Sequence, residues 1–157
     1  MKRETFFLKA VVFLIALPVL SLCVWGLPTV MGGAIEYFPN QWIIPVFIGL
    51  YVAAIPYFAA LLQALRLLSY IDQQKAFSDL SVKALKIIKF CALIISAVFA
   101  LELPCLYMLA EFDDAPGLIL IGLVIAAASL VIAVFAAVLQ QLLKNAIDIK
   151  AENDLTV

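Results

Sequence analysis

Histidine is absent from the chain of 157 residues, which removes the commonest metal ligand and the commonest general acid-base side chain at neutral pH. Cysteine is scarce and odd in number: Cys23, Cys91 and Cys105 lie far apart inside apolar stretches, so they give neither a disulfide framework nor a metal-ligand spacing and read as small packing residues. There is no CxxC, no glycine-rich phosphate loop and no opposed carboxylate pair within an apolar run. The constellations of metal, nucleophilic and acid-base catalysis are therefore missing, no cofactor is implied, and the chain reads as a non-enzyme. Charge is the other shortage. Only 13% of residues are charged, against 67% hydrophobic, whereas soluble domains average about a quarter charged.

What is present are four long apolar runs, at about residues 10–30, 42–68, 87–110 and 116–143. Each exceeds the roughly 20 residues that cross a bilayer. The expected fold is an all-α membrane protein, a four-transmembrane-helix bundle forming one integral membrane domain over residues 1–157, with a tail at 144–157. Lys2 and Arg3 would suit the start of a secretory leader, but the first run is longer than the usual 7 to 15 residues and is expected to be retained as a span.

The ten lysines and arginines occupy alternate gaps. Lys2, Arg3 and Lys9 precede or begin the first run, Arg66, Lys75, Lys83, Lys86 and Lys89 surround the second gap, and Lys144 and Lys150 follow the fourth run. The other two gaps hold Glu36, Glu111, Asp113 and Asp114 and no base. By the positive-inside rule both termini and the central gap face the cytoplasm, across a membrane crossed several times. Trp25, Tyr37, Phe38 and Trp42 crowd the opposite boundary, where amphipathic rings favour the head-group level. Anionic lipid is the default partner of the basic face, at about 1 kcal/mol per Lys or Arg near the surface; direct nucleic-acid binding is not expected.

Within the spans, small residues recur at helical spacing: Gly49, Ala53, Ala60 and Ala64 in the second, and Gly122, Ala126, Ser129, Ala133 and Ala137 in the fourth. Such stripes let backbones approach where lipid supplies no hydrophobic drive for association, within one bundle or between copies in a homo-oligomer. Pro18, Pro56 and Pro104 interrupt span interiors and leave the carbonyls of Leu14, Val52 and Ala100 without their usual helical donors. Glu102 is the exceptional intramembrane polar residue. At 1.5 Å per residue it lies roughly 13 Å below the boundary acid Glu111, where an ionised carboxylate costs about 2.5 to 3.5 kcal/mol. It is expected to face the bundle interior, to be protonated or to find a donor, and a small polar pocket beside Pro104 is expected at that depth.

Residues 67–90, LLSYIDQQKAFSDLSVKALKIIKF, keep helical spacing on both sides of a break. They predict a cytoplasmic helical hairpin that extends spans two and three by about ten residues, roughly 15 Å. Ser78 is placed as the N-cap of the second helix, with Phe77 and Val82 as a hydrophobic staple. Lys83, Lys86 and Lys89 form a basic stripe suited to head groups or to an acidic partner. The tail reads as an amphipathic continuation of span four, and Leu155 with Val157 has the alternation of a peptide that adds to a sheet edge.

LLSYIDQQKAFSDLSVKALKIIKFCA at 67–92 and LLKNAIDIKAENDLTV at 142–157, in this four-span setting, resemble the bacterial membrane family named domain of unknown function 2975. The segments that carry the likeness are AFS (Ala76 to Ser78), SVKAL (Ser81 to Leu85) and the END-L-T tail (Glu152 to Thr156). The resemblance implies a small inner-membrane protein, often encoded beside a small helix-turn-helix DNA-binding regulator, with no established catalytic activity. On that basis Phe77, Ser78, Lys83, Lys86, Asn153 and Leu155 are the expected partner-binding residues, and tethering or modulation of such a regulator is the expected function. A small transporter or channel using Glu102, and membrane self-protection of the immunity type, are the competing expectations.

Overall fold

The computed structural model describes residues 2–74 and 77–156. Lys75 and Ala76, the latter opening the AFS segment, and Val157 at the end of the tail lie outside the described residues. Helix α1 (Lys2–Ser21), a π-helical turn (Leu22–Gly26) and α2 (Leu27–Tyr37) form the first rod, followed by α3 (Asn40–Asp72), α4 (Asp79–Phe112) and α5 (Gly117–Thr156). Each of the four rods is long and apolar enough to cross a membrane, and each expected span falls on one of them, with Pro116 in the turn just before α5.

Local chemistry explains the breaks. Phe38 takes an extended conformation before Pro39, as the residue preceding a proline prefers, and the Pro39 carbonyl accepts the amides of Trp42 and Ile43 to start α3. Gln74 and Asp114 sit at positive φ just past α3 and α4. The Ala115 amide closes back on the Ala110 carbonyl at 2.9 Å, the six-to-one bond that seals a helix end behind a left-handed residue. Ser78 stands at the N-cap of α4 with extended backbone, and there the backbone carbonyl, rather than a capping hydroxyl, receives the amides of Ser81 and Val82.

The first rod is irregular between Pro18 and Pro28, a place not legible from single prolines. In the π turn the Leu27 amide bonds to the Leu22 carbonyl. The next carbonyl in that five-residue pattern, Cys23, faces Pro28, which has no N–H. The Tyr51 hydroxyl of α3 donates to it instead, at 3.0 Å. A buried carbonyl left without a donor in lipid is costly, so the tyrosine ties the deformed rod to α3 at its weakest point.

α4 is the central helix, packed along both α3 and α5, while the first rod packs on α3. Among the described residues α5 has no extended contact with α1 or α3, so the bundle is open on the side between α1 and α5. Gly122 makes the α4–α5 contact close: a Cβ there would lie 2.5 Å from Leu106 Cδ1. Ser96 adds a hydroxyl bond to the Ala126 carbonyl at 2.9 Å, and Ser129, Ala133 and Ala136 are buried along the same helix.

The acidic end is sealed by a core of Leu27, Ile43, Val46, Phe47, Leu106 and Leu109. Above it the rings of Tyr37, Phe38 and Phe112 stack edge to face or tilted, and the Tyr37 hydroxyl donates to Asp113 at 3.0 Å. At the basic end Asp72, the last residue of α3, accepts Lys9 at 3.1 Å and the Thr5 hydroxyl. The outward faces carry bare apolar side chains such as Trp25, Ile55 and Leu101, an arrangement that requires lipid rather than water.

Candidate functional site

Two features stand out inside this frame. The first is Glu102. Its side chain is only 7% exposed, and both carboxyl oxygens are buried without a hydrogen-bond partner among the described residues. The carboxyl lies in a notch of α3 made by the missing side chain of Gly49, since a Cβ at that position would stand 1.3 Å from Oε1. The small-residue stripe of span two thus has a specific tenant at Gly49, beyond general helix packing.

One helical turn further toward the basic end, Phe99 on α4 and Ala53 on α3 begin a cavity of about 520 Å³ lined by residues from every rod. Val19 and Cys23 form one wall, Leu50, Ala53 and Ala60 the next, Ala92 and Ile95 the third, Ile125 and Ile132 the last. Its few polar members are Ser129 and Tyr57, and the Tyr57 hydroxyl turns outward to the Ile15 carbonyl at 3.4 Å. In place of the small polar pocket expected at this depth there is an apolar cavity that Glu102 itself does not line. Pro104 and Ala100, whose carbonyl it frees, are both exposed and neither lines the cavity, so the freed backbone contributes no polarity to the space.

The second feature is at the basic end. The last turns of α3, the first of α4 and the far part of α5 enclose a groove of about 410 Å³ lined by Leu67, Ile71, Phe77, Leu85, Leu142 and Ala146, among others. Phe77 is 57% exposed at its rim. Ser78 is half-buried beside it, and Lys83 and Lys86 are exposed on the face of α4 that turns away from buried Ser81, Ala84 and Leu85. Lys89 rests over the Phe90 ring at 4.9 Å from its centroid.

Asn153 and Leu155 are not gathered with these residues. Both lie exposed in the last turns of α5, and Leu155 is nine residues beyond Ala146, about 13 Å along the axis. Because α5 runs without a break to Thr156, Leu155 is helical and does not present the extended alternation of a sheet-adding peptide. Of the groove's lining, Phe77 is an expected partner-binding residue and Leu142, Leu143 and Ala146 belong to the expected amphipathic continuation of span four, whereas Leu67, Ile71, Leu85 and Leu139 are not among the expected site residues. The signal for the α5 wall is the apolar helical spacing of Leu139, Leu142 and Ala146 across the end of span four.

Comparison with known proteins gives the same architecture a lineage. The chain is 60% identical over 158 residues to "Uncharacterized membrane protein YoaS" of Bacillus subtilis (strain 168), with 99% of each chain covered. No solved structure matches it. Residues 10–157 match the family described as "Protein of unknown function (DUF2975)", and with four membrane-spanning rods and a near full-length membrane-protein relative, the chain is a membrane protein that belongs to that family.

Proposed function

We propose that this protein sits in the bacterial inner membrane with its basic end in the cytoplasm and there docks a soluble partner, a small helix-turn-helix regulator whose availability it controls. The observation that carries the reading is the groove at the basic end, an apolar floor with exposed Phe77 at its rim, while the exposed cations Lys83 and Lys86 stand on the outer face of the same helix, α4. An amphipathic helix matches the groove, which its apolar face fills as in helix-in-groove recognition, and acidic residues elsewhere on the partner meet the lysines on the outer face of α4. The identity of the partner rests on the family resemblance, and its side of the membrane on the alternation of lysine and arginine across the gaps. No catalytic role is part of the proposal.

A transport path past Glu102 is the less supported reading, because the core of Leu27, Ile43, Val46, Phe47, Leu106 and Leu109 closes the acidic end beyond it. The test is co-expression of the tagged full chain with the regulator, followed by gentle solubilisation and recovery on the tag. Reversal of charge in Lys83→Glu/Lys86→Glu is expected to lower regulator recovery about tenfold, the factor set by about 1.4 kcal/mol, with helix content and elution volume unchanged. Unchanged recovery of the regulator by that variant refutes the docking surface.

A further inference from the structure

The cavity among the four rods has no part in partner docking. Protein interiors leave few spaces larger than a water molecule, whereas this one measures about 520 Å³, within the roughly 300 to 1,000 Å³ usual for ligand pockets. Small side chains make the room. Ala53, Ala60 and Ala64 of α3 line it, as does Ala92 of α4, so three of the four small residues that helical spacing assigns to a contact face in span two border the space instead. Gly49, the fourth, receives Glu102.

The wall selects the chemistry of an occupant. No aspartate, glutamate, lysine or arginine lines the cavity, and the Glu102 carboxyl is covered in its notch, so nothing there receives a charge. The Tyr57 hydroxyl is turned to the Ile15 carbonyl. A polar group entering this space loses its hydration with little to replace it, whereas hydrocarbon finds close dispersion contacts on every side. The cavity is also elongated. Its lining positions run from Leu50 to Ala64 on α3 and from Ile88 to Phe99 on α4, roughly 21 Å and 16 Å at 1.5 Å per residue. One leaflet contributes about 15 Å to a hydrocarbon slab about 30 Å thick, so the length suits a chain from a single leaflet. Within the expected span 42–68 these positions fall toward the basic end, and the acidic end beyond them is closed by packed core. The cavity is partly open, and α5 has no extended contact with α1 among the described residues, which leaves a side entrance facing lipid.

We propose that the cavity is a lipid site that takes one acyl chain of a membrane phospholipid from the leaflet at the basic end. The chain enters between α1 and α5, with its terminal methyl toward Ala53 and Phe99 and its ester end toward Ala64 and Ile88. The head group stays at the surface of its leaflet. The site is independent of the docking groove, so either can fail alone.

The test is methyl NMR of the full chain, deuterated except at its alanine methyls, in nanodiscs of phosphatidylcholine of natural isotopic composition. Ala53 and Ala92 are each only 5% exposed, so lipid around the outside of the bundle does not reach them. Nuclear Overhauser cross-peaks from the acyl methylenes are expected at Ala53, Ala60 and Ala92, and none at Ala84 and Ala133, which are buried away from the cavity. The terminal methyl of the chain is expected to reach Ala53, and the methylene next to the ester Ala64. Chain-deuterated lipid should abolish these cross-peaks; their persistence would reveal a co-purified molecule and overturn the assignment to a bilayer chain. Ala60→Leu, which fills the cavity midway, is expected to remove the cross-peak at Ala53, and the unaltered chain decides the matter if that variant fails to fold. Ala53 and Ala92 as silent as Ala84 and Ala133, or the terminal methyl at Ala64 in place of Ala53, overturns the proposal.

Discussion

Replacing Gly49 with alanine should destabilise the protein only while Glu102 is present, and the size of that dependence can be worked from the geometry. The new methyl would stand 1.3 Å from Oε1, 2.3 Å from Cδ and 3.0 Å from Oε2 of Glu102, so the carboxyl has to withdraw by about 2 Å to reach ordinary carbon contact distance. It is the end of a flexible side chain, so it swings rather than driving the helices apart, but it leaves its notch for the apolar cavity or the lipid. Overpacking of this kind costs about 1 to 3 kcal/mol. Alanine returns roughly 0.5 to 1 kcal/mol, because glycine in a helix interior is less favourable by that amount. The net expectation is a loss of about 1 to 2 kcal/mol. In a Glu102→Ala background the obstacle is gone and the same substitution should stabilise by roughly 0.5 to 1 kcal/mol. The change of sign between backgrounds is the diagnostic, a coupling within the range of about 0.5 to 3 kcal/mol typical of touching residues. Helix content followed through detergent-induced unfolding from bicelles for the four chains of the cycle measures it. Equal effects of Gly49→Ala in both backgrounds would refute the placement of the carboxyl in the notch.

Two further expectations follow from single contacts and from the charge pattern. Tyr51→Phe removes the donor to the Cys23 carbonyl and should cost about 1 kcal/mol in the same unfolding assay; Pro28→Ala, which restores a backbone amide opposite that carbonyl, should shrink the loss toward zero. In a chain with its three cysteines replaced by alanine, a membrane-impermeant maleimide should label Asp113→Cys in intact cells and Lys83→Cys only after permeabilisation, and the reverse pattern would invert the proposed orientation.

The spans, the aromatic crowding at the acidic end and the presence of a close-contact face at Gly122, though not the helix it meets, were legible in the sequence because each rests on composition or spacing within one segment. Lipid supplies that simplicity, since a crossing helix must be apolar over about 20 residues whatever it packs against. The same requirement hides the rest. Core-facing Phe99 and lipid-facing Leu101 are equally apolar, so hydropathy alone does not give the rotation of a helix about its axis, and with it the pairing of Gly49 with Glu102 or of Tyr51 with Cys23. Asp72 shows the limit at the basic end, where its bonds to Lys9 and Thr5 join residues more than sixty positions apart that no local pattern links.

The bend in the first rod is the most instructive departure. Reading prolines one at a time places distortions at Pro18, Pro56 and Pro104, yet the π turn falls at Leu22–Gly26, between Pro18 and Pro28. A π turn shifts the acceptor by one residue, and here that shift brings the Cys23 carbonyl opposite an imide nitrogen with no hydrogen, where only a side chain from another helix can complete it. The deformation and its repair by Tyr51 therefore form one structural unit spread over two rods. Cys23 also lines the cavity, so the turn helps shape the wall nearest the gap between α1 and α5. A regular helix there would rotate the following residues by about 100° for the residue removed, turning Leu27 out of the core that closes the acidic end. The irregular turn thus links the closed end of the bundle to its open side.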